Sequence, residues 1–136
     1  RFDYTMIGDA VNLAARLEGI NKQFGTYTLI SQSTMEQMDG AFPVREISRV
    51  AVVGRREPVV VYEPMQPKEV DQRQNQLAKF SEGLTLYYQG DFAGAEAVFS
   101  ELAGVDPPAR AYVTKCRQLL DHPPEEWQGV WDITTK

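Results

Sequence analysis

"DAVNLAARLEGI", residues 9–20, decides how the first half of the chain is read. Leu13, Leu17, Ile20 and Phe24 recur at helical spacing and form one apolar stripe. Asn12 and Arg16 stand one turn apart on a neighbouring face. Asp9 is a good N-cap, Gly8 separates it from a strand over residues 2–7, and Gly25 closes the helix after Gln23. A solvated face beside a core face would account for the polar pair. So would two donors aimed at a ligand.

Working outward, residues 1–65 alternate strand and helix. "TYTLIS" (26–31) reads as a strand, and "STMEQMDG" (33–40) as a short helix with Ser33 as cap, Glu36 as box partner and Gly40 as stop. "FPVREISRVAVVG" (42–54) is extended with a turn after it, and the β-branched, proline-bounded "EPVVVYEPM" (57–65) is a further strand. One strand before the first helix is too few for a covered sheet, and the chain opens at Arg1 inside a strand pattern. The expectation is that part of the domain lies upstream.

Residues 66–76, "QPKEVDQRQNQ", are polar, lack an apolar stripe, and read as a linker or an exposed helix start. Residues 77–136 are helical and more acidic. Leu77, Phe80, Leu84, Tyr87 and Tyr88 form one stripe, Gly90–Asp91 a tight turn, and Phe92, Ala95, Val98, Phe99 and Leu102 a second stripe. Asp106 and Pro107 open a third helix as N-cap and first residue, with Tyr112, Val113, Cys116, Leu119 and Leu120 as its apolar positions and His122-Pro123-Pro124 as its end. Trp127 and Trp131 are expected to staple the chain end to the core, or else to face another subunit.

The whole chain has 136 residues and a net charge of −5, with no Lys/Arg-rich run, so nucleic acid is not an expected partner. There is no signal-peptide pattern and no membrane-spanning stretch. The single cysteine, Cys116, forms no internal disulfide, and with His122 it makes no metal-ligand set. No Gly-rich phosphate loop or Ser-His-Asp constellation is visible.

Two resemblances add to this reading. Gly83, Ala95, Phe99 and Pro107 fall at the spacing of a tetratricopeptide unit, although Lys79, Glu82 and Leu86 stand where that repeat has Trp, Leu and Tyr. A lone repeat cannot bury its own face, so it must pack on the first domain, on a partner or on the third helix. The stretch "DYTMIGDAVNLAARLE" (3–18) is similar to one that class III adenylate and guanylate cyclases carry late in their catalytic domain: a strand, a Gly-Asp or Gly-Asn turn, and a helix bearing Asn-x-x-x-Arg. The tail "PEEWQGV" (124–130) resembles an element of bacterial cyclases with an extracytoplasmic sensor.

The cyclase resemblance implies an α+β chain: residues 1–65 as the C-terminal part of a ferredoxin-like catalytic domain, residues 66–76 as a linker, and residues 77–136 as a TPR-like helical extension with a Trp-containing tail. It implies adenylate cyclase activity. Arg16 would hold the α-phosphoryl in the transition state, and Asn12 would fix the ribose for attack by its 3′-oxygen. Thr5 would stand where many members place an adenine-reading aspartate, as in the bacterial and bicarbonate-responsive branch, which usually uses ATP. The family's triphosphate-binding lysine falls at Val53, with Arg55 as the nearby cation for the substrate. Two Mg²⁺ or Mn²⁺ ions are implied, with ligands upstream of Arg1 and none among these residues. The implied partner is a second copy of the catalytic domain, paired head to tail so that each site forms across the interface. The implied parent is anchored in a bacterial inner membrane by upstream segments, with this part on the cytoplasmic side. A catalytically degenerate nucleotide-binding domain and a protein-interaction module remain the competing readings, Val53 favouring the first of these.

Overall fold

The protein, a computed structural model, is described over residues 19–26, 28–38, 40, 42–51 and 57–132. The fold is α+β. A mixed four-stranded sheet among the described residues runs in the order β1-β3-β2-β4, with β1 at Ile30–Ser31, β2 at Val44–Ala51, β3 at Val59–Pro64 and β4 at Trp131–Asp132. β3 pairs antiparallel with both β1 and β2, whereas β4 lies parallel to β2. Residues 19–24 are helical (α1). They are followed by α2 (Gln32–Met38), α3 (Pro67–Gln72), α4 (Gln74–Gln89), α5 (Phe92–Leu102) and α6 (Pro107–Asp121).

β2 and β3 follow their residue patterns, whereas of the strand read over 26–31 the described residues hold only Ile30–Ser31 in the sheet. Val59 and Val61 of β3 point to one face two residues apart and are buried. In β2 the register shifts between Glu46 and Ser48, and this irregularity is why consecutive Ile47 and Ser48 are both buried. The helix capping α2 differs from the sequence expectation. Ser31, the last residue of β1, takes the cap role: its hydroxyl accepts from the Thr34 amide at 3.3 Å and bonds the Ser33 and Thr34 hydroxyls. Strand pairing places the cap at Ser31, two positions earlier than local spacing suggested. Gly40, at φ 78, adopts the left-handed conformation that suits a helix stop.

The polar stretch after β3 holds α3 and the first turn of α4. Pro67 begins α3, and the Glu69 carboxylate accepts from the Gln66 amide at 3.2 Å. α4 ends at Gly90 in the left-handed conformation, and Asp91 then caps α5 by accepting from the Gly94 amide at 2.9 Å. α4 and α5 cross closely at Gly83, where a Cβ would lie 2.9 Å from Phe99 Cζ. The expected third stripe holds through Tyr112, Val113 and Cys116, with Leu119 partly buried against the core, but Leu120 is 44% exposed.

The three helices do not form a separate body. Phe80, Leu84, Tyr87, Phe99 and Tyr112 share one buried cluster with Ile47, Val50, Val59 and Val61 of the sheet. The apolar stripes that a lone helical hairpin would leave open are thus closed by α6 and by the sheet. A buried ionic cluster adds a second connection. Arg45 of β2 donates twice to Asp106, at 2.9 and 2.8 Å, and once to Glu63 at 2.7 Å; Arg73 reaches the same Asp106 at 3.3 Å. Asp106 stands at the N-cap position of α6, as its sequence context suggests, but its carboxylate makes no cap bond and faces the arginines instead. Burial pulls the Arg45 pKa down, and the hydrogen-bonded charges of Asp106 and Glu63 outweigh it, so the guanidinium is held above its ordinary value.

Removing one partner of such a pair leaves an uncompensated buried charge. Asp106→Ala is expected to cost about 3–5 kcal/mol, read as a lowered urea midpoint, while the double variant Arg45→Met/Asp106→Leu loses much less.

Candidate active site

The residues that the sequence assigns to chemistry, Thr5, Asn12, Arg16 and Arg55, lie outside the described residues, as does Val53. The structure describes the framework to which their segments attach. On one side are residues 19–24. Ile20 and Phe24, two members of the stripe read from the sequence, are completely buried. The chain then turns at Gly25, with φ 69, and a Cβ there would come within 2.6 Å of Pro107 Cβ. Both the conformation and the closeness of α6 demand glycine. Thr26 locks the turn: its amide donates to the Asn21 carbonyl at 3.0 Å and its hydroxyl to Asn21 Oδ1 at 2.7 Å.

On the other side is the β2–β3 pair. The segment 52–56 lies between Ala51 and Glu57, and Val50 pairs with Val59 across the two strands. Val50 also pairs with Trp131 on its opposite edge. Trp131 therefore touches both sides of the framework. Its ring meets Phe24 edge-on at 4.5 Å and Tyr112 at 5.1 Å, and the Lys115 ammonium lies 5.1 Å from its centroid. Trp127 has a different seat: its indole N–H donates to the Tyr87 carbonyl at 2.8 Å, and its ring packs on Tyr87 and Phe92. Sequence reading put both tryptophans in the packing class without separating them. The signal that could have singled out Trp131 is its place in a short β-compatible run after Gly129.

A concavity of about 630 Å³ lies between β2 and α4, with Met65, Leu77, Phe80 and Leu84 among its apolar lining. Its polar lining is already engaged. Tyr88 donates to Glu46 at 2.6 Å, Arg49 lies 4.7 Å over the Tyr88 ring and donates to the Gln128 carbonyl at 3.3 Å, and Arg45 is held by Glu63 and Asp106. The arrangement is a seam between sheet and helices. Neither lining arginine is left to clamp a triphosphate.

Among the described residues no three His, Cys, Asp or Glu side chains converge as a metal site. Cys116 is buried, and burial pushes its thiol up to about 12, which keeps it protonated and unreactive. Burial also raises the phenols of Tyr87, Tyr88 and Tyr112 above the ordinary value, with the Glu46 hydrogen bond adding to the effect at Tyr88. For these acids the folded state prefers the neutral form. Their contribution is complete below the unfolded values, 9.0 for the thiol and 10.0 for the phenols, and is lost as pH rises through the folded ones. The urea midpoint is therefore expected to drop steadily above about pH 9, with the tyrosinate absorbance of Tyr87, Tyr88 and Tyr112 appearing only as the chain unfolds.

The chain is 32% identical over 129 residues to the terminal-differentiation specific adenylate cyclase of Dictyostelium discoideum, covering 88% of this chain and 6% of that protein. It is 42% identical over 66 residues to an adenylate cyclase of Anabaena cylindrica, covering 46% of this chain and 13% of that one. It is 38% identical over 63 residues to adenylate cyclase 1 of Rhizobium meliloti (strain 1021), covering 46% of this chain and 10% of that one. These relatives support a cyclase family. No family model matches the chain, and no solved structure matches it. The chain spans only 6% to 13% of the length of the relatives named. A match over 88% of the chain is too long to be confined to residues 1–65, so the likeness to the Dictyostelium protein extends into the helices. Among the described residues no helix is long and apolar enough to cross a membrane.

Proposed function

We propose that this chain is part of an adenylate cyclase that converts ATP to 3′,5′-cyclic AMP and pyrophosphate, and that it supplies the Asn12/Arg16 half of a site completed by a second copy. The observation that carries this reading is the Asn-x-x-x-Arg motif of the sequence, together with similarity to relatives named adenylate cyclase. The reaction is an in-line displacement. The 3′-oxygen bonds to the α-phosphorus as the bond to the bridging oxygen of pyrophosphate breaks, and the hydroxyl proton leaves to solvent.

In such a reaction the protein's contribution is positioning and electrostatic stabilisation. Arg16 offers a planar, permanently charged fork that matches the α-phosphoryl oxygens. Asn12 donates to the ribose and holds the 3′-oxygen in line. Thr5 bonds the adenine amino group, and Arg55 faces the triphosphate where Val53 offers no charge. The family's ion pair would neutralise charge on the phosphates. Its ligands are assigned upstream of Arg1, and no described residue of this chain fits that task. On the same reading two catalytic domains pair about a two-fold axis, so each protomer lends its Asn/Arg side to the other's metal side. The parent would be held in a bacterial inner membrane by segments outside this chain, with the catalytic part on the cytoplasmic side.

A second reading, a domain that binds nucleotide without turnover, is favoured by Val53 in place of the lysine. Cyclic AMP formation by the full-length protein with ATP and Mn²⁺ separates the two. Arg16→Ala is expected to lower kcat by about two to three orders of magnitude, with Asn12→Ala close behind. ATP binding with no product from the intact protein would establish the second reading instead.

A further inference from the structure

The concavity between β2 and α4 is lined by apolar side chains that the core does not use. Met65, Val70 and Leu77 all line it, and none belongs to the central buried cluster or to the side chains packed on that cluster. α3, which carries Val70, buries no residue. Leu84 continues the apolar wall along α4. At about 630 Å³ the space falls within the size class of small-molecule sites, roughly 300–1,000 Å³.

The groove is elongated and its ends are unlike. Leu77 and Tyr88 lie eleven residues apart on α4, about 16 Å of helical rise. β2 runs beside them, with Arg45 over the Phe80 ring and Arg49 over the Tyr88 ring, each at 4.7 Å. Met65, whose amide donates to the Pro43 carbonyl at 2.8 Å, stands with Val70 and Leu77 at the end where β2 begins. Arg49 and Tyr88 stand at the other. The two arginines differ in what they have left to offer. Arg45 is bound by both Glu63 and Asp106. Arg49 donates one N–H to the Gln128 carbonyl and makes no ion pair among the described residues. A guanidinium carries five N–H donors in a planar fork that matches a carboxylate. What remains on Arg49 is too little to clamp a triphosphate and enough for a single carboxylate.

We propose that this groove binds an elongated amphipathic monocarboxylate of the fatty-acid type, its chain laid along Leu84, Leu77, Val70 and Met65 and its carboxylate on Arg49. The chain covers the apolar surface that the core leaves open, and the head gains a charge-assisted bond about twice as strong as a neutral one. Glu46 lines the same end, where its carboxylate accepts the Tyr88 hydroxyl at 2.6 Å, so its charge opposes that of the ligand. A ligand seated here touches sheet and helices at once and stabilises their docking by mass action. The site is independent of the cyclase reading, and its occupation is measured without turnover.

The experiment is calorimetric titration of the intact chain with dodecanoate below its micelle concentration, with dodecanol as the uncharged probe and Tm as a second readout. A single equivalent of dodecanoate is expected to bind and to raise Tm by several degrees at about 100-fold excess over Kd. Ser81→Trp, at an exposed position of α4 that lines the groove, should abolish binding with the Tm of the free chain little changed. Arg49→Gln should weaken dodecanoate about 10-fold and leave dodecanol unaffected, and Glu46→Gln should tighten dodecanoate. Absence of saturable binding overturns the proposal, as does wild-type affinity in Ser81→Trp, which places the ligand elsewhere. Unchanged dodecanoate affinity in Arg49→Gln, or equal weakening of both probes, overturns the assignment of the carboxylate. A dimer that dodecanoate dissociates, seen by sedimentation, gives the groove to a second copy of the chain and overturns the proposal as well.

Discussion

Tyr112 occupies the position on which the rest of the structure depends. It is completely buried, its ring stacks on Phe99 at 4.6 Å, and it meets Phe24, Phe80, Tyr87 and Trp131 within 6.0 Å. Each of those rings comes from a different helix or strand, apart from Phe80 and Tyr87, which share α4. A buried phenol needs a partner, and the Tyr112 hydroxyl donates to the Ile47 carbonyl at 2.7 Å. That bond falls beside the β2 irregularity, where the register shift interrupts regular pairing. One side chain thereby joins sheet, helices and tail.

The charged connection has a different logic. Arg45, Asp106, Glu63 and Arg73 bring opposite charges into a desolvated position, and the geometry is bidentate at its centre. Such clusters contribute little net stability relative to well-packed apolar groups, yet they penalise every misaligned arrangement in which a charge is left alone. The aromatic cluster supplies burial. The ionic cluster selects one way of seating α6 on β2 and β3.

This architecture bears on function through the ends of segments. Phe24 and Val50, described residues near in sequence to the proposed site segments on either side, both meet Trp131. The helices close over the sheet, and the likeness to the Dictyostelium relative covers 88% of this chain.

Local patterns were legible in the sequence. Helical stripes such as Phe80-Leu84-Tyr87 and Phe92-Ala95-Phe99, the β-branched run of β3, and the turns at Gly40 and Gly90 follow from spacing and backbone preference, because those forces act between neighbours along the chain. The Asn12/Arg16 spacing is likewise a local pattern of the sequence, and it lies outside the described residues. Other features were decided by tertiary structure: Ser31 displacing Ser33 as cap, Leu120 facing solvent, Asp106 turning from its own helix to Arg45, and the distinct seats of Trp127 and Trp131. Arg45 and Asp106 are 61 positions apart, and Tyr112 and Ile47 are 65 apart. Sequence spacing carries no information about which distant groups will meet, and a buried charge or hydroxyl takes whichever partner the closed core presents to it.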